Sequence, residues 1–127
     1  IHKRYPQKLL APGDLLPQLI HLAQAESGFV PMAVSRKAAT GMWQFVRARG
    51  NEYGLNSSKL HDDRLDPEKA TRAAARHMRD LYNQIGDWHL AMAAYNCGPA
   101  CVERAVQRTG YADYWELRAR NAILNYG

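Results

Sequence analysis

The sequence predicts an all-α globular domain of five or six helices around one central buried helix, and three observations predict it. Apolar residues recur at helical spacing through residues 16–23 and again through residues 70–85. Helix punctuation is dense: Asp66-Pro67, Gly86-Asp87 and Gly98-Pro99 each place a stop or a cap beside a start. The run 90–95 is apolar on every side, as a helix enclosed all round must be. No segment alternates as a strand would, and no internal repeat or low-complexity tract is present.

Taken in order, residues 1–12 are basic and polar with two prolines and read as a loosely packed arm. Asp14 can cap a helix starting at Leu15, where Pro17 is tolerated in the first turn. Leu16, Leu19, Ile20 and Ala23 mark its apolar face, the next position on that face is Glu26, and Gly28 and Pro31 stop it. Residues 29–40 read as a loop with short turns, and 41–46 as a short apolar turn or helix. Gly50 and Gly54 break the next segment, and 56–65 is a polar connection. Its Asn56-Ser57-Ser58 sequon is too short a match to use.

The second half is more regular. Asp66 caps a helix opening on Pro67, with Ala70, Ala73, Ala74, Met78, Leu81, Tyr82 and Ile85 in one stripe. Glu68 with Arg72 and Arg76 with Asp80 are spaced to pair across a turn, and Gly86 ends the helix. Asp87 can cap the buried helix 88–96. Gly98-Pro99 closes it and opens another that runs to about Gln107. A last helix starts near Asp113, with Glu116 as capping-box partner, and runs through Trp115, Leu117 and Ile123 toward Tyr126.

A chain of 127 residues, 46% hydrophobic, is one domain, 1–127, able to bury a single core. It has no apolar run of membrane-spanning length. It starts at Ile1 without Met, which reads as a processed or excised piece, and no signal peptide is visible. Seventeen Lys and Arg against 12 Asp and Glu give a formal net charge of +5. Such a surface favours polyanions, whether nucleic acid, anionic membranes or bacterial wall polymers. The densest group, Arg72, Arg76 and Arg79, reads first as a solvated helix face, and no nucleic-acid motif accompanies it, so no nucleic-acid partner is expected. Cys97 and Cys101 are too few for a zinc site. A bridge across Gly98-Pro99 and two free thiols both remain open. Neither metal nor cofactor is expected.

The chemistry concentrates in residues 25–45. Glu26 closes an apolar stripe near a helix C-terminus. Desolvation and the negative end of the helix dipole both raise the pKa of such a carboxyl, as a general acid working near neutrality requires. The plain alternative is a Glu that curls to solvent. Downstream, Gly41-Met42-Trp43-Gln44-Phe45 offers an approachable backbone, an amide and two aromatics, which suits the wall of a sugar-binding cleft.

Glu26-Ser27-Gly28, Ser35 before Gly41-Met42-Trp43-Gln44-Phe45, and Ala94-Tyr95-Asn96 followed by Gly98 together resemble the lytic transglycosylases of the soluble and membrane-bound D type. These are glycoside hydrolase family 23 (SLT) domains with a goose-type lysozyme-like fold. The resemblance continues through Tyr53-Gly54-Leu55, residues 63–67, Gly86-Asp87-Trp88 and Tyr114-Trp115. It implies that Glu26 is the single catalytic acid/base and that Ser27 fixes the turn after it. Ser35 would hydrogen-bond near the acid. Gln44, with backbone groups around Met42, would hold the N-acetyl group of muramic acid. Tyr95 would face Glu26 across the cleft, and Asn96 would orient that segment. Trp43 and Tyr95 would suit sugar faces; the alternatives are that both are core aromatics and that Gln44 satisfies a buried carbonyl, but the three motifs together favour the functional reading.

The chain departs from the family pattern at Arg47 and Arg49, where proline and threonine are usual, and at Cys97, where alanine is usual. It also stops at Tyr126-Gly127, before the segment that usually carries another cleft tyrosine.

Most glycosidases need a second carboxylate, and none lies inside the three motifs; Glu52, Asp62 and Asp63 sit in polar connections. The expectation is therefore cleavage of the MurNAc-β-1,4-GlcNAc bond with assistance from the substrate's own N-acetyl group, leaving 1,6-anhydro ends. The rivals are a hydrolytic goose-type muramidase and a non-catalytic wall-binding domain. The resemblance further implies a monomer acting on peptidoglycan strands in the bacterial periplasm or cell envelope.

Overall fold

The computed structural model describes residues 15–120 and 122, with only the backbone of Leu16. The expected arm 1–12, the Asp14 cap and the run from Ile123 to Tyr126 lie outside the described residues. Within them are six α-helices, one 3-10 turn and three isolated β-bridges. The residues group into two compact units that divide between His77 and Met78.

In the first unit, α1 (Leu15–Ser27) buries Leu19, Leu22 and Ala23, while Ile20 is 51% exposed. The expected face is therefore rotated by a fraction of a turn: it runs Leu19, Leu22, Ala23, Glu26 rather than through Ile20. Gly28, at φ +63°, ends α1 by donating to the Gln24 carbonyl (3.0 Å). The following loop folds through bridges Val34↔Thr40 and Thr40↔Phe45. Thr40 and Phe45 exchange both backbone hydrogen bonds (2.9 and 3.1 Å), so residues 41–44 form a closed turn. Gly41 is obligatory there, because its φ is +88° and a Cβ would lie 2.0 Å from the Arg64 carbonyl oxygen. Helix α2 (Arg47–Glu52) follows. Gly50 does not break it, contrary to expectation, but lies buried inside it, against the aliphatic stem of Arg64.

The polar connection holds a 3-10 turn at Asp63–Leu65, in which Asp63 and Arg64 are buried. Helix α3 (Pro67–Ile85) then opens with Asp66 Oδ1 accepting from the amides of Glu68 and Lys69, each at 3.0 Å. All seven residues of its expected stripe are buried, and Glu68 pairs with Arg72 at 2.7 Å.

In the second unit, α4 (Trp88–Cys97) is capped by Asp87, which accepts from the Leu90 amide (2.9 Å), and buries five consecutive residues from Leu90 to Ala94. Trp88 stacks on Tyr82 with centroids 3.8 Å apart. Cys97 and Cys101 form a disulfide (Cα–Cα 5.7 Å) across the turn where Gly98 sits at φ +93°. Helix α5 (Pro99–Thr109) packs Val102, Ala105 and Val106 inward. Helix α6 (Tyr114–Ala119) is capped by Asp113 at the amides of Trp115 (2.8 Å) and Glu116 (3.4 Å), and buries Tyr114 and Leu117. It ends at Ala119, earlier than expected. Glu116 pairs forward with Arg120 at 3.4 Å.

Candidate active site

Glu26 occupies the last turn of α1. It is half-buried, with its Oε1 closed off from solvent. Its neighbour fixes the helix end. The Ser27 hydroxyl donates to the Met42 carbonyl (2.7 Å) and accepts from the Val30 amide (3.2 Å). The residue after the acid thereby fastens α1 to the 41–44 turn, 15 residues away in the chain.

That turn is rigid for reasons internal to it. Gln44 adopts φ +52°, a left-handed conformation that costs a non-glycine residue roughly 1–2 kcal/mol. Its side-chain Nε2 donates to the carbonyls of Gly41 (2.8 Å) and Ala33 (3.1 Å), which offsets the strain. So the amide nitrogen braces the turn, and its oxygen is the part that can meet a ligand. Trp43 is 4% exposed, with its indole N–H donating to Thr71 Oγ1 (2.9 Å), and Phe45 is 2% exposed against Tyr53 and His77. Both side chains are buried, held by partners elsewhere in the first unit. Met42 is half-buried and contributes its carbonyl to Ser27. Ser35 is exposed, with Oγ accepting from the amides of Lys37 (3.3 Å) and Ala39 (3.1 Å), so it shapes the approach to the 41–44 turn. In the second unit, Tyr95 is half-buried and Asn96 exposed in the last turn of α4.

Arg64 is the residue that sequence reasoning missed. Only 7% exposed, it donates from Nη1 to the carbonyls of Phe45 (3.0 Å) and Ala38 (3.3 Å), which flank the turn. Its Nε and Nη2 engage the two oxygens of Asp62 at 3.0 and 2.8 Å. The hydrogen bond from Arg64 pulls the Asp62 carboxyl below its ordinary pKa, outweighing its partial burial. Asp63 is likewise pulled down, first by the Asn56 amide (2.9 Å) and then by His61 and Lys69. The adjacent opposite charges of Asp62-Asp63-Arg64 were the available signal.

The three carboxylates left open as a second catalytic acid are therefore all engaged: Asp62 with Arg64, Asp63 with Asn56, His61 and Lys69, and Glu52 with Arg49 at 2.7 Å. Among the described residues, no group of three His, Cys, Asp or Glu side chains is placed to hold a metal ion. No described helix is long and apolar enough to cross a membrane.

The family profile of the transglycosylase SLT domain matches residues 7–118. The chain belongs to this family. The SLT domain is 37% identical over 105 residues to a membrane-bound lytic murein transglycosylase D of Escherichia coli, covering 79% of this chain and 23% of that protein. It is 42% identical over 87 residues to a peptidoglycan transglycosylase of an Escherichia phage, covering 67% of this chain and 6% of that one. It is 32% identical over 129 aligned positions to a membrane-bound lytic murein transglycosylase F of Maricaulis maris, at 89% and 27% coverage. The chain thus spans under a third of the length of each of these relatives.

Proposed function

We propose that this SLT domain is the catalytic part of a peptidoglycan lytic transglycosylase of the bacterial cell envelope, with Glu26 as its single acid/base. The observation that carries the reading is a Glu26 carboxyl with its Oε1 closed off from solvent, on a helix end that Ser27 ties to the 41–44 turn, in a chain of this family. Glu26 gives its proton to the glycosidic oxygen, and the bond from the MurNAc anomeric carbon to that oxygen breaks. The acetamido oxygen of the same sugar closes on the anomeric carbon, which removes the need for a protein nucleophile. The engagement of Asp62 and Asp63 in ion pairs and loop hydrogen bonds supports this route.

The Glu26 carboxylate then takes the proton of the C6 hydroxyl. O6 attacks the anomeric carbon, the acetamido ring reopens, and a 1,6-anhydro end results with no water consumed. Intramolecular groups in good orientation reach effective concentrations of about 10⁵ M or more, against about 55 M for water. Gln44, through its amide oxygen, together with Met42 and Ser35, are proposed to position the acetamido group and its surroundings, and Tyr95 and Asn96 to contact the saccharide. Digestion of purified peptidoglycan tests the reading by mass spectrometry. Products should be lighter by one water than hydrolytic ones and inert to borohydride. Reducible muramic ends as the main product would make the domain a muramidase instead.

A further inference from the structure

A recess lies in the first unit, formed where the 53–55 turn meets α3, with a volume of about 540 Å³. That is within the roughly 300–1,000 Å³ usual for small-ligand sites. Tyr53, the buried Leu55 and Ala75 make an apolar floor, and Lys69, Arg72 and Arg76 ring it with positive charge. Arg76 is preset: it donates to the Tyr53 carbonyl and lies 5.7 Å from the centre of the Tyr53 ring. Arg72 and Lys69 are only lightly held. The Arg72–Glu68 pair is exposed, 78% and 74% by side chain, and Lys69 reaches Asp63 at 3.4 Å while staying 57% exposed. Exposed pairs of this kind are worth little and exchange readily for a better acceptor.

We infer that this recess binds the acidic peptide stem of peptidoglycan, an inference that rests on the proposed substrate. A MurNAc–GlcNAc strand with its lactyl group amide-linked carries no charge, so three cations around an apolar floor have no partner on the glycan itself. The stem supplies what they fit: free carboxylates for Arg72, Arg76 and Lys69, and small apolar side chains for the floor.

The experiment compares this chain and its Arg72→Gln and Lys69→Gln/Arg72→Gln variants on stem-bearing strands and on strands stripped of stems by an amidase. The double variant should show KM raised about fivefold to tenfold on stem-bearing strands, with kcat held, and unchanged constants on stripped strands. Arg72→Lys should recover part of the loss, and high salt should erase the preference of the unaltered chain for stem-bearing strands. Equal constants for variant and parent on both substrates, or equal losses on both, would overturn the inference. Independently of turnover, free stem tripeptide titrated into the chain should shift the Arg72 and Arg76 Nε–H resonances. Silence there would overturn the inference even if cleavage is observed. Shifts produced by glycerol phosphate but not by the peptide would do the same, in favour of a phosphate polymer. Peptide shifts with no cleavage of either strand would instead leave the recess standing and remove the proposed activity.

Discussion

Replacing Arg64 with Met tests whether the buried guanidinium truly supports the 41–44 turn. The substitution keeps the aliphatic stem that packs on Gly50 and deletes four hydrogen bonds, two to Asp62 and one each to Phe45 and Ala38. The carbonyls are not orphaned: Phe45 still accepts from the Thr40 amide, and Ala38 from the Thr40 hydroxyl. Their loss is therefore small, about 0.5–1 kcal/mol each. The main cost is Asp62. Removing one partner of a buried ion pair costs about 3–5 kcal/mol. Asp62 keeps 20% exposure and the Arg64 backbone amide at 3.0 Å, which puts its share below that range, near 2 kcal/mol. The total is about 3–4 kcal/mol, out of the roughly 5–15 kcal/mol typical of a domain.

Urea titration at neutral pH measures it. A loss below about 1 kcal/mol, the scale of an ordinary surface change, would refute the assignment. The pH dependence adds a second check. The folded-state pKa of Asp62 is depressed, so its contribution is present above the unfolded value of about 3.9 and is lost as pH falls through the folded value. The gap between parent and variant should therefore narrow below about pH 4. A gap constant down to pH 2.5 would mean that Asp62 is not the source. Asp62→Asn placed on Arg64→Met should recover part of the loss by removing the stranded charge.

Glu26→Gln should leave the thermal midpoint within a few degrees of the parent and lower cleavage by about 10²–10⁴-fold; near-parental turnover would sink the acid assignment. Gly41→Ala should be severely destabilised, because its Cβ meets backbone and not a movable side chain. A soluble variant with parental stability would show that the turn is not seated against residue 64. Serine at both Cys97 and Cys101 should cost at most about 2 kcal/mol, since the closed loop is short. It should leave turnover unchanged, as checked by denaturation and product release at a temperature where both proteins are folded.

The regular helices were legible because their signals are local. The α3 stripe and the Asp66-Pro67 start are written in residues a turn apart, and the all-apolar run of α4 fits one kind of environment. In α1, residues 19–23 read Leu-Ile-His-Leu-Ala, which offers apolar side chains in two neighbouring registers. Only packing chooses Leu22 over Ile20. Gly50 looked like a breaker because its reason lies elsewhere, in the Arg64 stem that needs the space. Arg64 stood in what read as a polar connection, because its acceptors are 19 and 26 residues away in the chain. Glu26 and Gln44 were visible as chemistry. That the Gln44 amide nitrogen is turned inward was not, since nothing in the motif states its φ.

These distant contacts share one object. Ser27 holds the 41–44 turn through Met42, Arg64 holds its flanks through Ala38 and Phe45, and Trp43 is pinned inside by Thr71. Gln44 spends its amide nitrogen on keeping a strained backbone in place. In the proposed mechanism, with one acid and a nucleophile borrowed from the sugar, no protein group would make up for a misplaced acetamido group, and an error of about 1 Å can cost on the order of 10² in rate. Backbone strain held by several independent contacts is then the expected cost of the chemistry, and it falls where a one-carboxylate mechanism needs rigidity most: the segment tied directly to the helix end that carries Glu26.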